Sequence, residues 1–333
     1  MEEVNLKSIA KELGISISTV SRALRDHPDI KASTKKAVIE LAEKLEYEPN
    51  QLAYQLLKRR SNTIGVVLPK IHYPLYAQAI SGIEEVAEKM GFQILLCQSN
   101  ENYENEIRQI NSLLVSRVSG VIISVTNTTK KYDHLKKVQN KNIPLVLFNR
   151  DCEELTCSRV IIDNRKAAYK AVKYLIEKGS KKIAYIGGPA NLQISQIRLD
   201  GYRDALKEDN LEETIGFVRH VDFSRAAMDS EIIELLSSDK IPDAIITYSD
   251  QIAQLVLFHA KKLGIKIPEQ LKIIGFNNEP VNELLEPSLS SIAQPAYSMG
   301  KMAAELVFKE LESTRFAYEK IVLESELVKK GTA

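Results

Sequence analysis

The 333-residue sequence predicts a small all-α domain followed by an α/β core built from two doubly wound subdomains, each with a parallel sheet. Three observations predict this fold class. Helical patterns without strand-like runs fill the first 45 residues or so. From residue 63, β-branched runs alternate with helical patterns, as in parallel sheets with helical crossovers. The alternation then starts again near residue 159, which divides the core into two similar halves.

The segment LKSIAKELGISISTVSR near the N-terminus predicts two short helices joined by a tight turn. Ile9, Ala10 and Leu13 recur at helical spacing and give the first helix one apolar face. Gly14 supplies the backbone freedom of the turn, and Ser16 stands where an N-cap would stand. Two structures fit this pattern: an ordinary helical hairpin, or a helix-turn-helix whose second helix enters the DNA major groove.

The second helix separates an apolar from a polar face. Val20 and Leu24 point inward. The residues left outside are Ile17, Ser18, Ser21 and Arg22. A third helical pattern, at residues 33–45, completes a small bundle and favours the helix-turn-helix.

The segment YEPNQLAYQLLKRRSNTIG joins the bundle to the first strand-like run. Asn50 follows a proline and marks a helix start, and residues 50–58 can form about two turns, which are marginal in isolation. We expect such a helix to expose the apolar side chain of Leu56 close to the basic run that contains Arg59. This combination suits a minor-groove wedge flanked by phosphate contacts, and it equally suits an interdomain linker with a solvated basic end.

These motifs resemble the DNA-binding headpiece of the lactose-repressor (LacI/GalR) family. The resemblance rests on IAKELGISISTVSRAL, TKKAVIELAEKLEYEPN and LAYQLLKRRSNTIGVVLP, and it continues through nearly the whole chain. It implies that Ile17, Ser18 and Arg22 read base edges, and that Leu56 pries apart a central base step. Phosphate-contacting or helix-capping positions near the DNA backbone are Ser16, Thr19, Ser21 and Asn50, and Arg59 adds a cation to this surface.

Composition is consistent with this resemblance. The formal net charge is +1, and no apolar run approaches the ~20 residues of a membrane span. The charged N-terminus is unlike a signal peptide, so we expect a cytoplasmic protein with no membrane partner. Cys152 and Cys157 lack a second pair of ligands, and we expect no metal site and no cofactor.

The resemblance also implies domain boundaries. Residues 1–48 form the headpiece, 49–61 the hinge helix and linker, and 62–333 the ligand-binding and dimerisation core. In the family, and in the periplasmic sugar-binding proteins that its core resembles, the chain crosses three times between two lobes. We place these crossings near residues 162, 291 and 322, so that subdomain 1 comprises about 62–161 and 292–321, and subdomain 2 about 162–291 and 322–333.

Loops after the predicted strands supply the candidate ligand residues. In such folds small molecules bind in the crevice between the carboxyl ends of the two sheets. Aromatic rings that stack on sugars and polar groups that hold hydroxyls are both present. The candidates are Tyr73, Leu75, Tyr76, Asn149, Arg150, Arg198, Ser249, Asn277 and Gln294. Asn277 and Ser249 depart from an acidic residue and an asparagine that are common in the family.

No catalytic motif is present in the sequence. We therefore expect a ligand-responsive transcriptional regulator, most often a repressor in this family, and not an enzyme. A homodimer would bind a pseudo-palindromic operator, with DNA affinity controlled by a small molecule in the cleft, which we expect to be a sugar or sugar derivative. The alternative function is a solute-binding protein without a regulatory role.

Overall fold

The structure is a computed structural model, and it describes residues 5–24, 26–45, 47, 61–313 and 317–333. The chain separates into two compact units, Met1–Arg59 and Arg60–Ala333. We call the first the headpiece and the second the core, and each is described by itself.

The described part of the headpiece is a bundle of three helices around a small apolar centre. Ile9, Val20 and Val38, one from each helix, are fully buried and pack together. Gly14 ends the first helix with a left-handed φ of 64°, as the predicted turn requires. The helices are α1 (Leu6–Leu13), α2 (Ile17–Ala23) and α3 (Ala32–Lys44).

The first subdomain of the core is a six-stranded parallel sheet with helices against it, in the described residues. The strand order is β11-β5-β4-β3-β1-β2. Its strands are β1 (Thr63–Leu68), β2 (Gln93–Gln98), β3 (Gly120–Ile123), β4 (Leu145–Phe148), β5 (Ser158–Ile162) and β11 (Lys320–Leu323); its helices are α4 (Pro74–Lys89), α5 (Tyr103–Val115), α6 (Asp133–Asn140) and α11 (Ala296–Glu312).

The second subdomain repeats the plan. Its strand order is β12-β10-β9-β8-β6-β7, and all pairs are parallel except β12 with β10. Its strands are β6 (Ile183–Gly187), β7 (Val218–His220), β8 (Ala244–Thr247), β9 (Lys272–Phe276), β10 (Ser290–Ala293) and β12 (Glu326–Val328); its helices are α7 (Asn164–Glu177), α8 (Gln193–Glu208), α9 (Arg225–Leu236), α10 (Asp250–Lys262) and a 3₁₀ turn at Pro280–Leu284.

The chain passes between the two sheets three times. It leaves the first sheet after β5, returns after β10 at residues 294–295, and leaves again after β11 at residues 324–325. The predicted fold class is therefore confirmed, with α/β subdomains whose strands point their carboxyl ends toward one interlobe cleft.

Burial of the strands follows their position in the sheet. Strands β1, β3 and β4 are buried almost throughout, as expected for central parallel strands. Strand β2 lies at the edge of its sheet, and Leu95 and Leu96 are 40% and 37% exposed. An apolar run in the sequence does not reveal whether a strand has neighbours on both sides.

Candidate functional site

Helix α2 of the headpiece presents a polar face to solvent. Ile17, Ser18 and Arg22 are exposed, whereas Val20 on the opposite side is fully buried. An exposed isoleucine beside a serine and an arginine is a surface that can meet both the methyl groups and the hydrogen-bonding edges of bases. The arrangement is the one that the helix-turn-helix interpretation requires.

Hydroxyl groups hold the beginning of α2. Ser16 Oγ accepts a hydrogen bond from the Thr19 backbone N–H at 3.1 Å, so Ser16 is the N-cap that the sequence predicts. The same oxygen lies 2.8 Å from Thr19 Oγ1 and 2.7 Å from Ser18 Oγ. Ser21, also on α2, is partly buried. The other candidate DNA-binding residues, Asn50, Leu56 and Arg59, lie outside the described residues.

A cavity opens between the two lobes of the core, at the carboxyl ends of the strands. It encloses about 570 Å³ of free space, counting the part open to solvent, which is within the range of small-molecule sites. We call it the central cavity. All nine candidate ligand residues line it: Tyr73, Leu75, Tyr76, Asn149, Arg150, Arg198, Ser249, Asn277 and Gln294.

Arg198 brings a buried positive charge to the wall of the cavity. Its Nε donates to Asn164 Oδ1 at 2.9 Å and its Nη1 to the Tyr248 carbonyl at 2.6 Å. The guanidinium carbon lies 3.7 Å from the centre of the Phe276 ring, a cation–π distance. Burial lowers the pKa of Arg198 from its ordinary value. Since Nε and Nη1 are engaged by the described residues, Nη2 is the nitrogen left for a ligand.

Arg150 is different, because a carboxylate already neutralises it. Its Nη1 and Nη2 donate to the two carboxylate oxygens of Glu101 at 2.8 and 2.7 Å, and Nη1 also donates to the Val125 carbonyl. Burial would raise the pKa of Glu101, but the nearby guanidinium outweighs burial and the pKa is lowered. The buried Nε is therefore the one guanidinium nitrogen of Arg150 that has no partner among the described residues.

Three amide side chains add acceptors to the cavity. Gln294 Nε2 donates to Asn277 Oδ1 at 2.8 Å, which leaves Gln294 Oε1 buried and unpaired among the described residues. Asn149 Oδ1 is likewise buried and unpaired in the described part of the chain. Asn149 and Asn277 both have left-handed backbones, with φ of 63° and 105°. Unpaired buried oxygens are costly, so these two, on residues that line the cavity, are candidate partners for a polar molecule bound there.

Aromatic rings line two parts of the cavity. Tyr73 and Tyr76, from the start of α4, are stacked with ring centres 6.4 Å apart. Tyr76 is almost fully buried and its hydroxyl lies 3.1 Å from Ser124 Oγ, so Tyr73 is the more accessible ring of the pair. From the other lobe, Phe223 and Tyr248 have ring centres 5.2 Å apart.

Six further residues of the lining were missed by sequence reasoning. They are Glu101, Ile194, Phe223, Tyr248, Gln251 and Glu279. Tyr248 directly precedes Ser249 in DAIITYSDQ, and Phe223 ends FVRHVDF, so the rule that selected residues after strands could have found both. Glu101 follows strand β2, so the same rule could have found it, although its pairing with Arg150, 49 residues away, could not be foreseen.

Behind the cavity, Asp250 joins several elements of the second lobe. It accepts hydrogen bonds from Ser291 Oγ at 2.6 Å, from the Glu279 backbone N–H at 2.7 Å and from Asn282 Nδ2 at 2.8 Å. Burial raises the pKa of Asp250 to about 7, although these donors act in the opposite direction. The carboxyl group thus connects α10 to β10, the strand that leads into one interlobe crossing.

Membrane-spanning and metal-binding features are not found among the described residues. No helix in these ranges is long and apolar enough to span a membrane. No group of three or more His, Cys, Asp or Glu side chains in the same ranges could hold a metal ion.

An exposed recognition helix in the headpiece and a two-lobed cleft in the core define a class of DNA-binding proteins that carry a small-molecule domain. Comparison with known proteins agrees with this class. Residues 5–50 match the family described as "Bacterial regulatory proteins, lacI family", and residues 61–327 match "Periplasmic binding proteins and sugar binding domain of LacI family". The chain belongs to the LacI family.

Individual relatives are regulators. The chain is 32% identical to catabolite control protein A of Priestia megaterium over 307 residues, 92% of each chain. It is 30% identical to the HTH-type transcriptional repressor CytR of Escherichia coli (strain K12), over 98% of this chain and 95% of CytR. A complex of the transcriptional regulator CelR with cellobiose has a TM-score of 0.75 and 26% identity, and the match covers 99% of this chain and 100% of CelR. This protein is accordingly a ligand-responsive transcriptional regulator and not an enzyme.

Proposed function

We propose that this protein is a cytoplasmic repressor that binds a pseudo-palindromic operator as a homodimer, and that a sugar in the central cavity controls its affinity for DNA. One observation carries the effector part of the proposal. The nine candidate residues, chosen from loops far apart in the sequence, line one cavity that also holds unpaired buried polar atoms. The alternative, a solute-binding protein without regulatory role, has no support, because residues 5–50 match the LacI-family regulatory domain.

The cavity has the chemistry of a sugar site. A sugar hydroxyl can donate to Asn149 Oδ1 and Gln294 Oε1, and another can accept from Arg198. The Tyr73 ring offers a flat surface for the apolar face of a pyranose. CelR, which has the same fold, has been captured with cellobiose, and this supports the carbohydrate class.

On the DNA side, we propose that α2 enters the major groove. Arg22, exposed on that helix, can form a bidentate contact with guanine, while Ile17 and Ser18 meet neighbouring bases. Thr19 and Ser21 are proposed to contact backbone phosphates, while Ser16 caps the start of the helix. Asn50, Leu56 and Arg59 are proposed to act in the hinge, with Leu56 as the minor-groove wedge.

We propose that ligand binding and DNA binding are coupled through the relative position of the two lobes. A ligand that contacts both lobes stabilises one closure state of the cleft. In a dimer this changes the distance between the two hinge segments and therefore their ability to fold together on DNA. Coupling of this kind is typically worth about 1–3 kcal/mol.

A thermal-shift screen against sugars, sugar phosphates and nucleobases tests the effector class. A ligand at 100 times its dissociation constant adds about 2.7 kcal/mol to the free energy of unfolding, which is readily seen as a higher melting temperature. Hits are then added to gel-shift selections with random genomic fragments. Enrichment of a palindromic operator whose retention changes with the hit supports the proposal. Failure to enrich any operator, with or without hits, contradicts it.

A further inference from the structure

A second cavity adjoins the central one, and we call it the side cavity. It holds about 440 Å³ of free space, counting the part open to solvent. Its lining includes the loop after β3, with Asn127 and Tyr132, and the loop before α8, with Asn191. Arg150 and Ile194 line both cavities. A ligand in the central cavity could therefore extend into the side cavity past these two residues.

The side cavity has its own unpaired polar groups. Arg150 is only 6% exposed, and its Nε–H has no partner among the described residues. The side-chain oxygen of Asn127 is also buried and unpaired within the described part of the chain. Arg150 Nε–H is a hydrogen-bond donor and Asn127 Oδ1 is an acceptor. A hydroxyl group can accept from the first kind of group and donate to the second. Tyr132 adds a partly buried ring to the same wall.

Both lobes contribute to this cavity, and a hydrogen bond joins them there. Asn191 Nδ2, from the second lobe, donates to the Asn127 carbonyl of the first lobe at 3.2 Å. The Asn127 N–H in turn donates to Glu101 Oε2 at 2.8 Å, on the carboxylate that also binds Arg150. A molecule in the side cavity would thus contact residues of both lobes.

Another space also borders the central cavity, through Asn149 and Ile194. Its walls include Ile161, Ile197 and Val322, and its apolar character is greater than that of the side cavity. Val322 is 48% exposed, and this space lies near the interlobe crossings. It provides a matched location for a control substitution.

We propose that the side cavity is a second saccharide subsite, so that the effector carries a second sugar ring linked to the one in the central cavity. This inference rests on the proposed function, since it assumes a sugar in the central cavity. The first ring meets Asn149, Gln294 and Arg198, and the second ring places hydroxyl groups against Arg150 Nε and Asn127 Oδ1.

The test compares monosaccharides with disaccharides by calorimetric titration of the full chain. The probes are D-glucose and D-galactose, with maltose, cellobiose, isomaltose and melibiose. The wild type is compared with Asn191→Trp, which fills the side cavity from an exposed position, and with Ile197→Trp, which fills the other space. We expect at least one disaccharide to bind about tenfold or more tightly than its component monosaccharides.

In Asn191→Trp, the advantage of the disaccharide over its monosaccharides should disappear, whereas Ile197→Trp should keep it. Asn127→Ala removes the Oδ1 acceptor without filling the side cavity, so it should reduce the affinity advantage of the disaccharide. Equal affinity for mono- and disaccharides in the wild type would overturn the inference and leave the sugar proposal intact. Loss of the advantage in Ile197→Trp alone would place the second ring elsewhere and would also overturn it. If none of the six sugars binds, the inference fails, while the sugar class itself is decided by the thermal-shift screen.

Discussion

Arg198 is the clearest single side chain on which effector binding should depend. The guanidinium is buried, lies over the Phe276 ring and is fixed by Asn164 and the Tyr248 carbonyl. A group held this firmly loses little further conformational entropy when it binds a ligand. It is therefore suited to distinguish ligands that offer an acceptor at this position from ligands that do not.

Replacing Arg198 by alanine should abolish the response to effector and leave ligand-free operator binding nearly intact. Hydrogen bonds to a charged group are worth about 1.5–3 kcal/mol, so effector affinity should fall roughly 10- to 150-fold. Gel shifts with and without effector measure the response, and calorimetry measures the affinity.

The matched control is Arg165→Ala, which removes an exposed arginine of the same lobe that pairs with Asp204. This variant should change neither the response to effector nor the affinity for effector. Retention of the full response in Arg198→Ala, with wild-type circular dichroism, would remove Arg198 from the ligand site.

Asp250 predicts a pH dependence of stability. Its pKa in the folded protein is about 7, above the ordinary 3.8, so the Asp250 carboxyl binds a proton more tightly in the folded state than in the unfolded state. The resulting stabilisation is complete below about pH 4 and is lost as the pH rises through 7. Relative to Asp250→Asn, the wild type should lose unfolding free energy from pH 5 to 7, by at most about 1.4 kcal/mol per pH unit.

Urea unfolding followed by far-UV circular dichroism at several pH values tests this prediction. The quantity of interest is the difference between wild type and variant, which cancels the titration of other groups. Parallel curves would mean that the three donors around Asp250 keep it ionised in the folded protein.

At the scale of elements, the start of α2 depends on one hydroxyl. Ser16→Ala removes the acceptor of the Thr19 N–H and should destabilise the headpiece by about 0.5–2 kcal/mol. Hydrogen exchange of headpiece amides in the full chain would show this as faster exchange in α2. Ser18→Ala is the control, since its hydroxyl contacts Ser16 Oγ and leaves the cap bond in place. Equal acceleration in both variants would argue against the cap.

The hinge proposal concerns a segment outside the described residues and is tested by its effect on DNA. Leu56→Ala should weaken binding to the operator far more than binding to nonspecific DNA, because only a specific complex would bend at a wedged base step. Fluorescence anisotropy with operator and scrambled duplexes at one salt concentration measures both affinities. An equal loss for the two duplexes would show that Leu56 is not a wedge.

Sequence patterns predicted the continuously apolar strands well and the last strands poorly. Strands such as β3 and β4 could be predicted because GVII and LVLF are apolar over their whole length. Strands β10, β11 and β12 (SSIA, KIVL and ELV) are about as short, but each includes a polar or charged residue and so lacks a continuous apolar run. Their position is fixed by pairing with strands far away in the sequence, which local patterns do not contain.

The same reasoning applies to the candidate site. Parallel strands align their carboxyl ends, so the sequence alone was enough to assign the loops after strands to one cleft. The sequence could not show which charged side chains form ion pairs with each other. Arg150 was chosen as a ligand residue, yet it forms an ion pair with Glu101, 49 residues earlier. Glu106 on α5 is a second example of a charged residue whose partners the sequence does not reveal. It is completely buried and forms hydrogen bonds with Thr126 and His134.

At the scale of the whole molecule, three chain segments connect the two lobes. A change in the relative position of the lobes on effector binding therefore involves the entire core. If the effector acts only through this chain, linkage requires a reciprocal effect. The factor by which effector changes operator affinity, expected to be about 5–150, should equal the factor by which operator changes effector affinity. Paired titrations of effector with and without a short operator duplex measure both. An operator that leaves effector affinity unchanged would show that another component, such as a coregulator protein, transmits the signal.

The left-handed backbones of Asn149 and Asn277 limit how this cleft can be redesigned. Asparagine and glycine tolerate such φ values, whereas β-branched and bulky residues do so only with strain. A library aimed at a new effector would lose most of its folded members if it randomised these two positions freely. Tyr73, Ser249 and Gln251 line the same cavity on ordinary backbone, and diversity placed there would explore new specificities without unfolding the cleft.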